Sequence, residues 1–157
     1  MPYALEPLLK IRATRQDRAA GELAAAKRKT AEAAKSLEQR RSELAEFERT
    51  KEERRDRIYE TIIGRAVKRE SIDLANEGVA KIDEEGAMRT DGVKRAEKEL
   101  ADRKTEEESA RANFVVSTKN KMKLDEHKSR HLEECSKETE MRAEGELEDF
   151  TVRKIEI

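Results

Sequence analysis

The sequence has no tryptophan, two prolines, one cysteine and five aromatic residues among 157. The aromatics are Tyr3, Phe47, Tyr59, Phe114 and Phe150. So few large apolar side chains cannot fill a thick core, which argues against most enzyme folds. The prolines are Pro2 and Pro7, so no residue after position 7 removes a backbone donor from a helix. A lone Cys135 excludes an internal disulfide framework and fits a reducing compartment. No run approaches the ~20 apolar residues that span a bilayer. The opening MPYALEPLLKIRATRQDR lacks an apolar signal core, so the expectation is a cytoplasmic chain without a secretory leader. Charge of one sign is lacking too: 35 basic residues nearly cancel 36 acidic ones, leaving a net of −1.

Charge itself is abundant, at 45% Asp, Glu, Lys and Arg. High charge alone would suggest disorder. Here Pro and Ser are sparse and Ala, Glu, Lys, Arg and Leu dominate, the composition of long helices and coiled coils. A heptad seam agrees with that composition. Leu23, Thr30, Leu37, Leu44, Lys51 and Ile58 recur every seven residues, and Ala26, Ala33, Arg40, Phe47, Arg54 and Thr61 follow each by three. Arg40, Lys51 and Arg54 are charged intruders that must snorkel or find partners such as Glu84 and Glu97. The seam resumes at Val79, Ile82, Val93, Ala96, Leu100, Ala110 and Phe114. Beyond Phe114 the apolar residues Met122, Leu124, Leu132, Cys135, Leu147 and Phe150 predict stutters. Acid-to-base pairs at i,i+4, such as Glu53/Arg57, Glu99/Arg103 and Glu126/Arg130, support the outer faces by ~0.2–0.5 kcal/mol each.

The expected fold is therefore all-α, a single two-helix antiparallel coiled-coil hairpin over residues 1–157. Helix 1 is expected at about 4–63, the turn at about 64–71 and helix 2 at about 72–150. Gly64 can end the first helix and Ser71 can cap the second. Charge matching gives the same turn, because facing residues in an antiparallel pair have a constant index sum. Lys27–Lys29 against Glu106–Glu108, Arg41 against Glu97 and Arg55 against Glu84 all centre near residue 69. A turn at Gly86–Gly92 would instead oppose Arg41 to Lys137. The basic N-terminal segment and the acidic segment 125–157 are expected to meet and neutralise each other, with about the last 20 residues projecting beyond.

Chemistry-bearing motifs are scarce. There is no nucleophile elbow, glycine-rich phosphate loop or Cys-x-x-Cys, and two helices are expected to form no concavity for catalysis. The chain is read as a non-enzyme with no cofactor, catalytic residue or metal. His127, His131 and Cys135 share a helix face, but Cys135 lies about 12 Å along the axis from His127, too far to join it on one metal. These three are expected to line the C-terminal end of the seam. Lys10, Arg12, Arg15 and Arg18 fall on more than one helix face and are the candidate partner-binding bases. No aromatic residue interleaves them, so no nucleic-acid partner is expected. Tyr59, Ile62, Ile63 and Leu74 crowd the expected tip, either capping the hairpin or forming a docking surface.

The opening PYALEPLLKIRATRQDRAA resembles the N-terminal signature of the central stalk proteins of type III secretion export machines, relatives of the flagellar export stalk protein. Tyr3, Leu5, Glu6, Pro7, Leu8, Leu9, Ile11, Arg12, Asp17, Arg18 and Ala19 carry the match. The resemblance implies a long antiparallel α-hairpin in the pore of a hexameric secretion ATPase, promoting its activity and reaching the cytoplasmic domain of an export-gate membrane protein. It also implies that secretion chaperones are partners of some members, and that the chain lies at the inner membrane without inserting. On this reading Lys10, Arg12, Arg15 and Arg18 face the ATPase, and Tyr59, Ile62, Ile63 and Leu74 face the gate. A generic coiled-coil adaptor or an RNA-associated helical hairpin are the alternatives from other classes.

Overall fold

The computed structural model describes the backbone of residues 3–155 and the side chains of residues 3–147, so Phe150 lies outside the described side chains. Two helices account for nearly all of it, α1 (Glu6–Glu60) and α2 (Arg69–Ile155), and no strand occurs among the described residues. They pack against each other as a helical hairpin. Glu6 and Glu70 stand in the first turns of α1 and α2, where an acid complements the helix dipole.

The chain reverses over residues 61–68. Helical bonding fades in steps: the amides of Thr61 and Ile62 reach back three residues to Ile58 and Tyr59, and Ile63 reaches four to Tyr59. Gly64 then takes φ +75°, the left-handed conformation that glycine adopts without steric cost. Gly64 thus terminates the bonding, although α1 proper ends at Glu60 rather than at 63. The second helix begins earlier than expected, at Arg69. Ser71 consequently lies inside its first turn, donating its amide to the Lys68 carbonyl 3.0 Å away, and is not the N-cap.

Contacts divide the chain into two compact units, Ala25–Glu108 and Met1–Ala24 with Ser109–Ile157. In the first, Leu37, Val93 and Ala96 form the buried cluster, with Leu44 and Leu100 against it. Ala33, Phe47, Ala75 and Ile82 are buried along the same seam. Close approach at Phe47 depends on Gly86, because a Cβ there would stand 3.0 Å from the ring. The charged intruders resolve differently from expectation. Lys51 pairs with Asp83 at 3.2 Å, and Arg54 with Glu85 at 2.9 Å. Arg40 lies exposed across Gly92. Arg41 pairs with Glu97 at 2.7 Å, as the index sum required. Arg55, expected opposite Glu84, takes the adjacent Asp83 instead.

In the other unit Tyr3 and Ala19 are the buried residues. Here the expected stutters do not occur. Half-buried positions on α2 run Ala110, Phe114, Ser117, Lys121, Leu124, Lys128, His131 and Cys135, alternating four and three without a break. Met122, Leu132 and Leu147 are exposed. The heptad frame continues, but polar residues occupy it. Those side chains keep their polar ends near water while their stems cover the partner helix.

Candidate interaction surfaces

Among the described residues no group of three or more His, Cys, Asp or Glu is placed to hold a metal ion. The surfaces with chemical character are three: a concavity at the turn, an ion lattice below it, and the flanks of the unit that contains both ends of the chain.

At the turn, Ile58 of α1 with Thr61 and Ile62 just beyond it stand across from Val67, Ser71, Leu74, Ala75 and Gly78. They line an open concavity of about 530 Å³, a hollow that two helices were not expected to form. Of the four tip residues singled out in the sequence, Tyr59 and Ile62 are half-buried. Ile63 and Leu74 are 70% and 67% exposed. The segment 61–69 carries Arg65, Lys68 and Arg69, all exposed, and no acid.

Below the turn, two guanidinium groups lie over the Phe47 ring, with Arg54 5.4 Å and Arg89 5.3 Å from its centroid. Both arginines also hold Glu85, each at 2.9 Å. Hydrogen bonds from Arg89 and then Arg54 hold the Glu85 carboxyl below its usual range. Asp83 is likewise held down, first by the hydrogen bond from Lys51, with Arg55 assisting. Arg103 is raised above its usual value, chiefly by its bond to Glu106.

In the unit formed by the two ends, Tyr3 is clamped against α2. Its hydroxyl is 2.9 Å from His127 Nδ1, and its ring lies 5.7 Å and 5.5 Å from the His127 and His131 rings. Glu6 adds an ion pair to Lys128 at 2.7 Å. His127 and His131 thus hold the N-terminus through Tyr3, while Cys135 Sγ lies 3.7 Å from His131 Nε2 within α2. Sequence reasoning missed this clamp, although extending the constant index sum to the ends of the chain sets Tyr3 near His131. Lys10 and Arg15 are exposed and Arg12 is half-exposed, none with an ion pair among the described residues. Arg18 turns to its own helix and pairs with Glu22 at 3.0 Å.

The expected neutralisation of these bases by the acidic C-terminal segment is overturned. Gln16 donates to Thr118 at 3.3 Å, which sets residues 10–18 beside the stretch of α2 around position 118. From Ser109 to Leu124 that stretch contains Arg111, Lys119, Lys121 and Lys123 and no acid. Beyond that stretch the acids of α2 resume at Asp125, two residues before the His127 that meets Tyr3. Antiparallel pairing thus sets bases next to bases.

The fold is a two-helix coiled coil, and the surfaces with chemical character lie along its flanks and at its turn. The family model of the type III secretion protein YscO matches residues 5–153. This chain belongs to the YscO family of type III secretion proteins. Among solved structures, the YscO homolog CT670 from Chlamydia trachomatis is similar in fold, with a TM-score of 0.74 at 20% identity. That alignment covers 96% of this chain and 92% of the other. No curated protein matches the chain. No helix among the described residues is long and apolar enough to cross a membrane.

Proposed function

We propose that this chain is the central stalk of a type III export apparatus, a non-enzymatic cytoplasmic shaft that enters the hexameric secretion ATPase, promotes its activity and contacts the cytoplasmic domain of the export gate at the inner membrane. The observation that carries the reading is the hairpin itself: one chain supplies two long helices, with Lys10, Arg15, Ile63 and Leu74 exposed on it. Three further features support it. Lys10, Arg12 and Arg15 are unpaired among the described residues and available to acidic loops of a ring. Their contacts would be exposed, hence screened over a Debye length of about 8–10 Å, which suits steering more than locking. Ile63 and Leu74 present apolar surface at the turn beside a concavity, which suits a gate-facing tip, with Tyr59 and Ile62 behind them. Secretion chaperones are further candidate partners on the same outward surface.

The test is reconstitution with the cognate secretion ATPase. The native chain should raise ATP hydrolysis, and reversal of Arg12, Arg15 and Arg18 to Glu should abolish the increase while circular dichroism stays unchanged. Equal stimulation by the reversed chain across a salt series would remove these residues from the interface. Replacing Ile63 and Leu74 by Ser should reduce secretion in cells without weakening ATPase binding. Unimpaired secretion would reduce the tip to a structural cap.

A further inference from the structure

The acid-free stretch of α2 is a property that neither helix reveals alone. We infer that Lys119, Lys121 and Lys123 of α2 complete, with Lys10, Arg12, Arg15 and Arg18 of α1, a basic collar around this helix pair, and that the collar docks inside an opening of acidic protein surface. This rests on the proposed ATPase reading and adds to it the second helix and the geometry of the partner.

Three observations carry it. First, the two basic segments are side by side, fixed by the Gln16–Thr118 hydrogen bond on one side and the Tyr3 and Glu6 contacts to His127 and Lys128 on the other. Within residues 7–21 the only acid is Asp17, and within 109–124 there is none. Setting like charges together costs stability unless a partner relieves it. Neither Lys119, Lys121 nor Lys123 forms an ion pair among the described residues.

Second, the bases surround the pair. At 3.6 residues per turn, Lys10, Arg18, Arg15 and Arg12 spread over about 200° of the circumference of α1. Lys119 and Lys123 share an exposed face of α2, while the half-buried Lys121 occupies a seam position with its polar end near water. A flat anionic membrane can meet only one side of such an arrangement, whereas an enclosing partner meets all of it.

Third, the gaps between the bases are apolar. Ile11 on α1 and Val115, Val116 and Met122 on α2 are exposed among them. Nucleic acid would want stacking aromatics there, and the one aromatic residue of these segments, Phe114, is half-buried in the seam. Exposed aliphatic side chains ringed by charge are the composition of a protein interface.

The experiment compares charge reversals on the two helices at matched fold. The full chain carrying Lys119→Glu, Lys121→Glu and Lys123→Glu is titrated against the cognate secretion ATPase over a salt series. A second variant with Lys119→Glu and Lys123→Glu alone leaves the seam untouched. The expected result is about tenfold slower association for the triple variant and a clear slowing for the double, as reversed rim charges give. The salt dependence should become shallower, with helicity unchanged. Native-like association by both variants, while the Arg12/Arg15/Arg18 reversal weakens binding, overturns the α2 half of the collar and leaves the ATPase reading standing. No association of the native chain overturns that reading and the collar with it. Binding of phosphatidylglycerol vesicles or single-stranded oligouridine that these lysines control, with ATPase association unaffected, overturns the choice of protein as the occupant.

Discussion

Phe47 is the residue on which local geometry is tightest. It is buried with the Arg54 and Arg89 guanidinium groups over its ring, and its ring edge would sit 3.0 Å from a Cβ at position 86. Glycine in a helix interior usually costs about 1 kcal/mol relative to alanine. At Gly21, where nothing lies within 4 Å of an added Cβ, Gly21→Ala should therefore stabilise the chain by about 0.5–1 kcal/mol. At Gly86 the sign should invert, because overpacking of about 1–3 kcal/mol exceeds the propensity gain when the ring cannot withdraw with two guanidinium groups over it. Thermal melts of the two variants, moving in opposite directions, would check this. A stabilised Gly86→Ala would show that Phe47 shifts freely.

Some residue pairings are legible in the amino-acid sequence, and others escape it for a definable reason. The index sum found Arg41 with Glu97, because both lie on exposed flanks where length and charge decide. It placed Arg55 against Glu84, one position from the true partner, because arithmetic on adjacent acids cannot tell which one the helix turns toward α1. Asp83 also receives Lys51, which holds it on that side.

At the scale of the element, the stretch 51–60 with 78–89 combines ion pairs at Asp83 and Glu85 with the buried Ile82. Asp83 and Glu85 have depressed pKa values, so the folded chain binds fewer protons there than the unfolded chain does. The stabilisation they give is present above the ordinary carboxylate range of about 4 and is lost as pH falls through the lower folded values. Amide protection factors in this stretch, corrected for the intrinsic pH dependence of exchange, should therefore fall between about pH 5 and pH 3, ahead of those near Leu37 and Val93. Uniform acid response across both regions would contradict the assignment. Lys51→Leu tests the same balance. Lys51 is half-buried while its partner Asp83 is exposed, and such pairs contribute little net stability, so the variant should be equal to or slightly more stable than the native chain.

The elements also show how a pattern misleads. Beyond Phe114 the eye follows apolar residues and infers slipped register at Met122 and Leu132. The helix follows geometry, and Ser117, Lys121, Lys128 and His131 keep the seven-residue frame. Long or aromatic side chains can bury their stems while their polar atoms reach water or a partner, so a polar residue at a seam position carries no sequence mark of being there.

For the molecule as a whole, pairing within one chain is the central claim. Cysteines introduced at 41 and 97 in a Cys135→Ser background should be bridged by a short bismaleimide within a single chain, since the native side chains there meet at 2.7 Å. Covalent dimers as the main product would show that the helices pair between chains. Mass spectrometry of the product separates the two outcomes.

The amino-acid sequence by itself determined the helices, the antiparallel hairpin and the neighbourhood of the turn. Those follow from local terms: composition, a seven-residue period and a glycine able to take a left-handed conformation. Only the tertiary structure decided what each face is for. It set Tyr3 between two histidines, left Ile63 and Leu74 bare at the turn, and brought the basic start of α1 beside a basic stretch of α2 instead of the acidic tail. The reason is one of register. Side-chain reach lets charged pairs tolerate an offset of several residues, so charge matching across the ends cannot fix which segments are neighbours, whereas packing of the buried seam fixes it to the residue.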